Sequence, residues 1–320
     1  MKNRPKLKKI LIAVVSVLIV IVFMVYVPPL IIISSVTGKV EYSGEATREQ
    51  PLQAVYQADD FDIQSNDMML VTDDGYEVFV SEVLCDEPKG IVVFLSGIQQ
   101  PSVTYFYPQA KWLKKNGYAA FLLEVRGHGK SEGKVSLGCK EYYDVRAVVE
   151  YIETVPQYKD VPITLMGVSM GGAVAVNSFG SIEEVDGVIA MSAYSSFGDV
   201  AADQIIEYYG PKWLSQAAKH SMRMWLKVYF GSDGIEMSPV NQITNADGRK
   251  VFLIASAGDK TVPVSSLARL AAASDGETEI WIRDSHDHFI IKDNDFMEFY
   301  KDEEYCNRIL EFLDSVENDF

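Results

Sequence analysis

Cysteine and histidine are both scarce, and each shortage narrows the available chemistry. The three cysteines, Cys85, Cys139 and Cys306, stand far apart and form no C-x-x-C pair. That pattern argues against a metal or redox centre, and the odd number leaves at least one thiol unpaired. Four histidines, His128, His220, His286 and His288, are the only imidazole bases on offer. Repeats and low-complexity tracts are missing, which sets aside solenoid and compositionally biased architectures. Positive charge is short as well: 29 Lys and Arg stand against 45 Asp and Glu, for a net charge of −16. Lys2, Arg4, Lys6, Lys8 and Lys9 fall together at the start with no acid among them. The rest of the chain therefore carries −21, five charges below the total of −16. So acidic a body argues against nucleic acid as a partner, because phosphate binding needs a basic surface.

Residues 10–27 read ILIAVVSVLIVIVFMVYV, without a charge, and Pro28-Pro29 follow. As a helix this run covers about 27 Å, close to the thickness of a bilayer core. It is long for the apolar part of a signal peptide, and no A-x-A site ends it. We expect an uncleaved membrane anchor over residues 10–33. The basic residues 1–9 should remain cytoplasmic and the body should lie on the extracytoplasmic side. If the anchor only tethers, a chain starting near Ser35 should be soluble and active. Residues 34–66, with Ser34, Ser35, Gly38, Gly44 and Pro51 and no sustained period, predict a polar tether.

Residues 67–320 alternate short β-branched runs with amphipathic stretches. Met68–Thr72 and Glu77–Glu82 flank the turn signal Asp73-Asp74-Gly75 and predict a hairpin. Ile91–Leu95, Ala119–Glu124, Ile163–Met166, Val188–Ser192, Val251–Ser256 and Glu279–Ile282 predict strands. Tyr107–Asn116, Glu141–Thr154, Gly171–Phe179 and Asn307–Val316 predict helices. The order implies an α/β fold with a mostly parallel central sheet and helices on both faces. Residues 197–249 break the rhythm. They are too long for a connection in such a sheet and rich in large side chains, including Trp213, Trp225 and Tyr229. A helical cap is expected there, with those three as candidates for lining a substrate pocket; ordinary core packing is the competing reading.

Gly167-Val168-Ser169-Met170-Gly171-Gly172 follows a predicted strand and opens a predicted helix. That context gives G-x-S-x-G its meaning, a serine presented on a sharp strand-to-helix turn. The neighbours must lack bulk for the turn to close. The helix then aims its first N–H groups at the serine, and the Met170 N–H is a candidate oxyanion donor. Ser169 is the candidate nucleophile.

With this motif the chain resembles α/β hydrolases of the serine aminopeptidase and monoacylglycerol-lipase-like group, from about Leu70 to Leu313. The family's His-Gly oxyanion loop corresponds to Phe94-Leu95-Ser96-Gly97-Ile98, with Ser96 in place of the histidine. The resemblance implies Ile98 N–H as the second oxyanion donor, with Gln99 as the fallback. The family's Asp-x-Arg-Gly-His-Gly-x-Ser segment appears as Glu124-Val125-Arg126-Gly127-His128-Gly129-Lys130-Ser131. There it is structural, which makes His128 a non-catalytic residue here. Asp259, in Ala257-Gly258-Asp259-Lys260-Thr261-Val262-Pro263, is similar to the family's acid loop, and the order Ser…Asp…His agrees with it. The base lies in Asp284-Ser285-His286-Asp287-His288. Ungapped alignment to the family pattern favours His288, and a one-residue shift keeps His286 open. Asp287 stands where it can tune either ring by its charge.

The resemblance implies a serine hydrolase acting through an acyl-enzyme, with no cofactor or metal. Carboxylic esters (acylglycerol, lysophospholipid or a small ester) are the expected substrates. A peptidase or amidase is the alternative within the fold. An inactive membrane-tethered binding protein is the alternative outside enzymology.

Overall fold

A computed structural model of the chain describes residues 4–40, 51–209, 212–292 and 295–320. Its centre is an eight-stranded sheet: β1 (Ser65–Val71), β2 (Glu77–Val83), β3 (Gly90–Leu95), β4 (Tyr118–Leu123), β5 (Ile163–Val168), β6 (Gly187–Met191), β7 (Gly248–Ser256) and β8 (Gly276–Arg283), in spatial order β1-β2-β4-β3-β5-β6-β7-β8. The hairpin β1–β2 and the pair β2–β4 are antiparallel, and every other pair is parallel. Strands β3, β4, β5 and β6 are buried along their whole length. That is why they read as continuous apolar runs and not as alternating ones. Alternation survives in what each residue touches. Ile91, Val93 and Leu95 of β3 enter one core, and Val92 and Phe94 enter the other, as the two-residue period of a pleated strand requires.

Helices cover both faces. On the Val92 face lie α2 (Tyr107–Lys115) and the closing helix. On the other lie α3 (Tyr142–Thr154) and α4 (Met170–Phe179). Helix α3 turns Val145, Val148, Val149 and Ile152 inward, the stripe of an amphipathic helix. Between β6 and β7 come α5 (Phe197–Tyr209), α6 (Lys212–Phe230) and two single turns, α7 (Asp233–Glu236) and α8 (Pro239–Gln242). Next come α9 (Ser265–Ala273), absent from the pattern reading, and α10 (Glu303–Asp319).

The N-terminal helix α1 runs from Arg4 to Val36 and passes through Pro28 and Pro29. Within it Lys8–Val36 is long and apolar enough to cross a membrane. The helix outruns the expected segment because its last turns have a partner. Pro29 and Ile33 are buried, and Ile33 belongs to the core cluster that includes Met222 and Leu226 of α6. The Trp225 Nε1–H donates to the Tyr26 carbonyl at 2.8 Å. Just past the helix, the Val40 N–H donates to the Gly127 carbonyl at 2.7 Å.

The expected tether over 34–66 needs correction in the same sense. Residues 1–3 and 41–50 lie outside the described residues. Residues 51–63, however, lie on the body: Ala54, Ala58 and Ile63 are buried, and the Tyr56 N–H donates to Thr104 Oγ1 at 2.9 Å. Apolar side chains spaced too irregularly to show a period are still buried when a flat face lies beneath them.

Candidate active site

Ser169 occupies the turn between β5 and α4 with φ 54° and ψ −118°, a strained backbone for a residue with a side chain. The flanking glycines are demanded by contact. A Cβ on Gly167 would lie 2.2 Å from the Gly171 carbonyl oxygen, and one on Gly171 would lie 2.2 Å from that of Leu95. The second contact sets the elbow directly against the Leu95–Gln100 turn, which carries Ile98. The Met170 N–H opens α4 beside Ser169, and both residues are buried.

The Leu95–Gln100 turn is held by a residue the motif reading passed over. Gln100 is buried, and its Oε1 accepts from the Gly97 N–H at 2.7 Å and from the Tyr105 hydroxyl at 2.6 Å. Ser96, at the family's histidine position, is fully buried and its Oγ has no hydrogen-bond partner among the described residues. Gln100 therefore gives this turn a side-chain brace from within itself. The only signal for it in the sequence is a polar residue between Gln99, which has φ 61°, and Pro101.

Asp259 follows β7. Its Oδ1 accepts from the Thr261 N–H at 2.8 Å and the Val262 N–H at 3.1 Å, and its Oδ2 faces His288 Nδ1 at 2.7 Å. Two backbone donors thus clamp one oxygen while the other meets the imidazole. Nδ1 carries the proton in that contact, which leaves Nε2 as the acceptor side of the ring. His286 lies differently. Its ring rests on the Gly258 backbone, where a Cβ would come within 2.1 Å of Nδ1. Of the two candidates, His288 is the one brought to Asp259. The Asp287 carboxylate accepts from the Ser285 hydroxyl at 3.1 Å, within its own turn.

The end of β6 ties the three loops together. The Met191 carbonyl accepts from the Ser169 N–H at 2.8 Å. Next to it, Ser192 (φ 50°) donates its N–H to the Ile254 carbonyl of β7 at 2.8 Å and its hydroxyl to the His288 carbonyl. Nothing in the sequence around Ser192 announces that role.

The Glu124–Ser131 loop is structural in its contacts. Buried Glu124 accepts from the Ser102 hydroxyl and from the Lys130 N–H at 2.6 Å, and burial raises its pKa. Arg126 pairs with Asp144 at 2.6 Å and Asp74 at 2.7 Å. His128 is fully buried, with Nδ1 3.2 Å from the Arg126 carbonyl, and burial pushes its pKa below the usual histidine range. The cap candidates do not converge on Ser169. Trp225 binds the backbone of α1, while Trp213 and Tyr229 are exposed. A cavity of about 70 Å³ between α5, α6 and α8 is lined by Tyr194, Phe197, Leu226 and Met237 among others, but not by Ser169, Asp259 or His288.

Residues 86–309 match the model of the serine aminopeptidase family S33. The chain belongs to this family. It is 28% identical over 206 residues to the uncharacterized protein YqkD of Bacillus subtilis, across 62% of this chain and 63% of that one. It is 38% identical over 68 residues to the monoglyceride lipase of Mus musculus, across 21% and 22% of the two chains. The chain thus spans less than two thirds of the length of either curated relative. Among solved structures, the esterase Pf2001 of Pyrococcus furiosus superposes with a TM-score of 0.64 at 23% identity, over 81% of this chain and 94% of that one. The acylaminoacyl peptidase of Pyrococcus horikoshii gives 0.59 at 17%, over 82% and 44%. These likenesses establish the α/β-hydrolase fold.

Proposed function

We propose that this protein is a membrane-anchored serine hydrolase that cleaves carboxylic esters through an acyl-enzyme on Ser169. The observation that carries the proposal is the 2.7 Å contact between His288 Nδ1 and an Asp259 carboxylate whose other oxygen is clamped by backbone, in a fold that presents Ser169 on a strained elbow. His288 Nε2 takes the Ser169 proton as Oγ attacks the acyl carbonyl. Asp259 holds the ring and stabilises the imidazolium that forms. The N–H groups of Met170 and Ile98 receive the oxyanion. The protonated His288 then donates its proton to the leaving alkoxide, and a water deprotonated by the same ring releases the acyl group. Helix α1 spans the membrane, with the basic N-terminus cytoplasmic and the hydrolase outside.

Ester cleavage is favoured by the likeness to a monoglyceride lipase and an esterase, and the substrate is a small acyl compound, acylglycerol or lysophospholipid included. The family's peptidases support amide cleavage as the second reading. A fluorophosphonate probe on the detergent-solubilised full chain tests the nucleophile: wild type labels and Ser169→Ala does not. A folded wild type that fails to label sinks the enzyme reading and leaves the binding-protein one. A panel of acyl esters and aminoacyl amides then decides between the two activities.

A further inference from the structure

Helix α6 departs from the rest of the chain in charge. Residues 212–230 hold Lys212, Lys219, Arg223 and Lys227 and no Asp or Glu, in a protein of net charge −16. Lys219 is paired with Asp199. Lys212, Arg223 and Lys227 are exposed and recur at i, i+11 and i+15, which sets them on one stripe of the helix. Beside it runs a second stripe, Trp213, Ala217, Met224 and Val228. There Trp213 is 64% and Val228 65% exposed, while Ala217 and Met224 are half-buried. This apolar stripe lies opposite Ser215, Met222 and Leu226, which are buried against the body. Between the buried face and the apolar stripe, Trp225 bonds the Tyr26 carbonyl. Tyr26 stands at the end of the uncharged run 10–27, where a spanning helix leaves the hydrocarbon.

We propose that α6 is an interfacial helix that rests on the surface of an anionic phospholipid bilayer. Its apolar stripe enters the headgroup–acyl boundary, and Lys212, Arg223 and Lys227 meet the lipid phosphates. Such a helix binds by apolar area together with attraction to anionic headgroups. Two features select a bilayer over a protein partner. The stripe combines exposed Trp and Val with a cationic edge whose Lys212, Arg223 and Lys227 form no ion pair among the described residues, Arg223 also lining the cavity beside Asp199, and it is joined through Trp225 to the point where α1 leaves the membrane. The docking rests on the reading of α1 as a membrane anchor, and the experiment separates the two.

The full chain is mixed with liposomes of phosphatidylcholine alone, or of phosphatidylcholine with phosphatidylglycerol, and followed by flotation and by deuterium uptake over residues 212–230. The expected result is flotation with both lipids and slower uptake only with the anionic one. The contrast should weaken about fivefold for each cation lost among Lys212→Gln, Arg223→Gln and Lys227→Gln, and it should vanish in high salt. Flotation with both lipids and equal uptake overturns the α6 proposal and leaves the anchor standing. Flotation with anionic liposomes alone keeps the α6 proposal and removes the anchor. Flotation with neither overturns both.

Discussion

The carboxyl edge of the sheet and the α5–α6 segment follow opposite rules of construction. At the sheet edge, hydrogen bonds to or from backbone groups hold Asp259, Ser169 and His288 in place. Asp259 is clamped by two N–H groups, Ser169 hangs from the Met191 carbonyl, and the His288 carbonyl is held by Ser192. Around α6, side chains make the contacts with remote partners or with solvent. Trp225 reaches a carbonyl 199 positions away, and Trp213 reaches nothing that buries it. Backbone scaffolding leaves a signature in short motifs, because the turn that makes it dictates which residues fit. A surface that meets a partner as remote as α1 has no such local code.

Three tests would break or sharpen this contrast. The largest effect belongs to the histidine pair. His288→Ala should lower kcat/KM for an acyl ester by about a thousandfold or more, while His286→Ala should stay close to wild type. The reverse ranking in steady-state kinetics would mean that the Asp259 contact does not mark the base. Next is the seam between the regions. Ile33 is fully buried, so Ile33→Ala should cost about 2–5 kcal/mol in urea unfolding of the solubilised full chain. An unchanged midpoint would return the end of α1 to the status of a tether. The smallest effect is expected at Gln100. Gln100→Leu leaves the Gly97 N–H and the Tyr105 hydroxyl without their acceptor, at about 1–3 kcal/mol, and kcat should fall with KM held. Gln100→Glu keeps an acceptor and should restore kcat. Equal loss in both variants would deny Gln100 its positioning role.

Legibility follows the same division. The strands and the mostly parallel sheet were readable because buried parallel strands are unbroken apolar runs, as at Ile91–Leu95. The elbow was readable because a Cβ at Gly167 or Gly171 would collide with backbone, so the turn leaves its mark as glycine. Helix α9 was missed, its small-residue sequence SSLARLAAA offering only Leu267 and Leu270 as large apolar positions. The packing of residues 51–63 was missed because Ala54, Ala58 and Ile63 follow neither period. The surroundings of the cap aromatics were not readable, since a large side chain in a helix says nothing about what stands opposite it.

By itself the sequence determined the α/β alternation, the glycine-flanked strand-to-helix turn at Ser169 and an apolar run long enough to span a bilayer. All of these are set by neighbours within a few residues, through sterics, turn chemistry and hydropathy. Only the tertiary structure decided that His288 and not His286 meets Asp259, that Gln100 braces the turn where the family has a histidine, and that α1 is packed onto α6. In the irregular loop after β8 no period fixes which way a side chain points. The other two contacts depend on where the completed fold delivers a partner: from five residues along the chain for Gln100 and Tyr105, and from 199 for Trp225 and Tyr26.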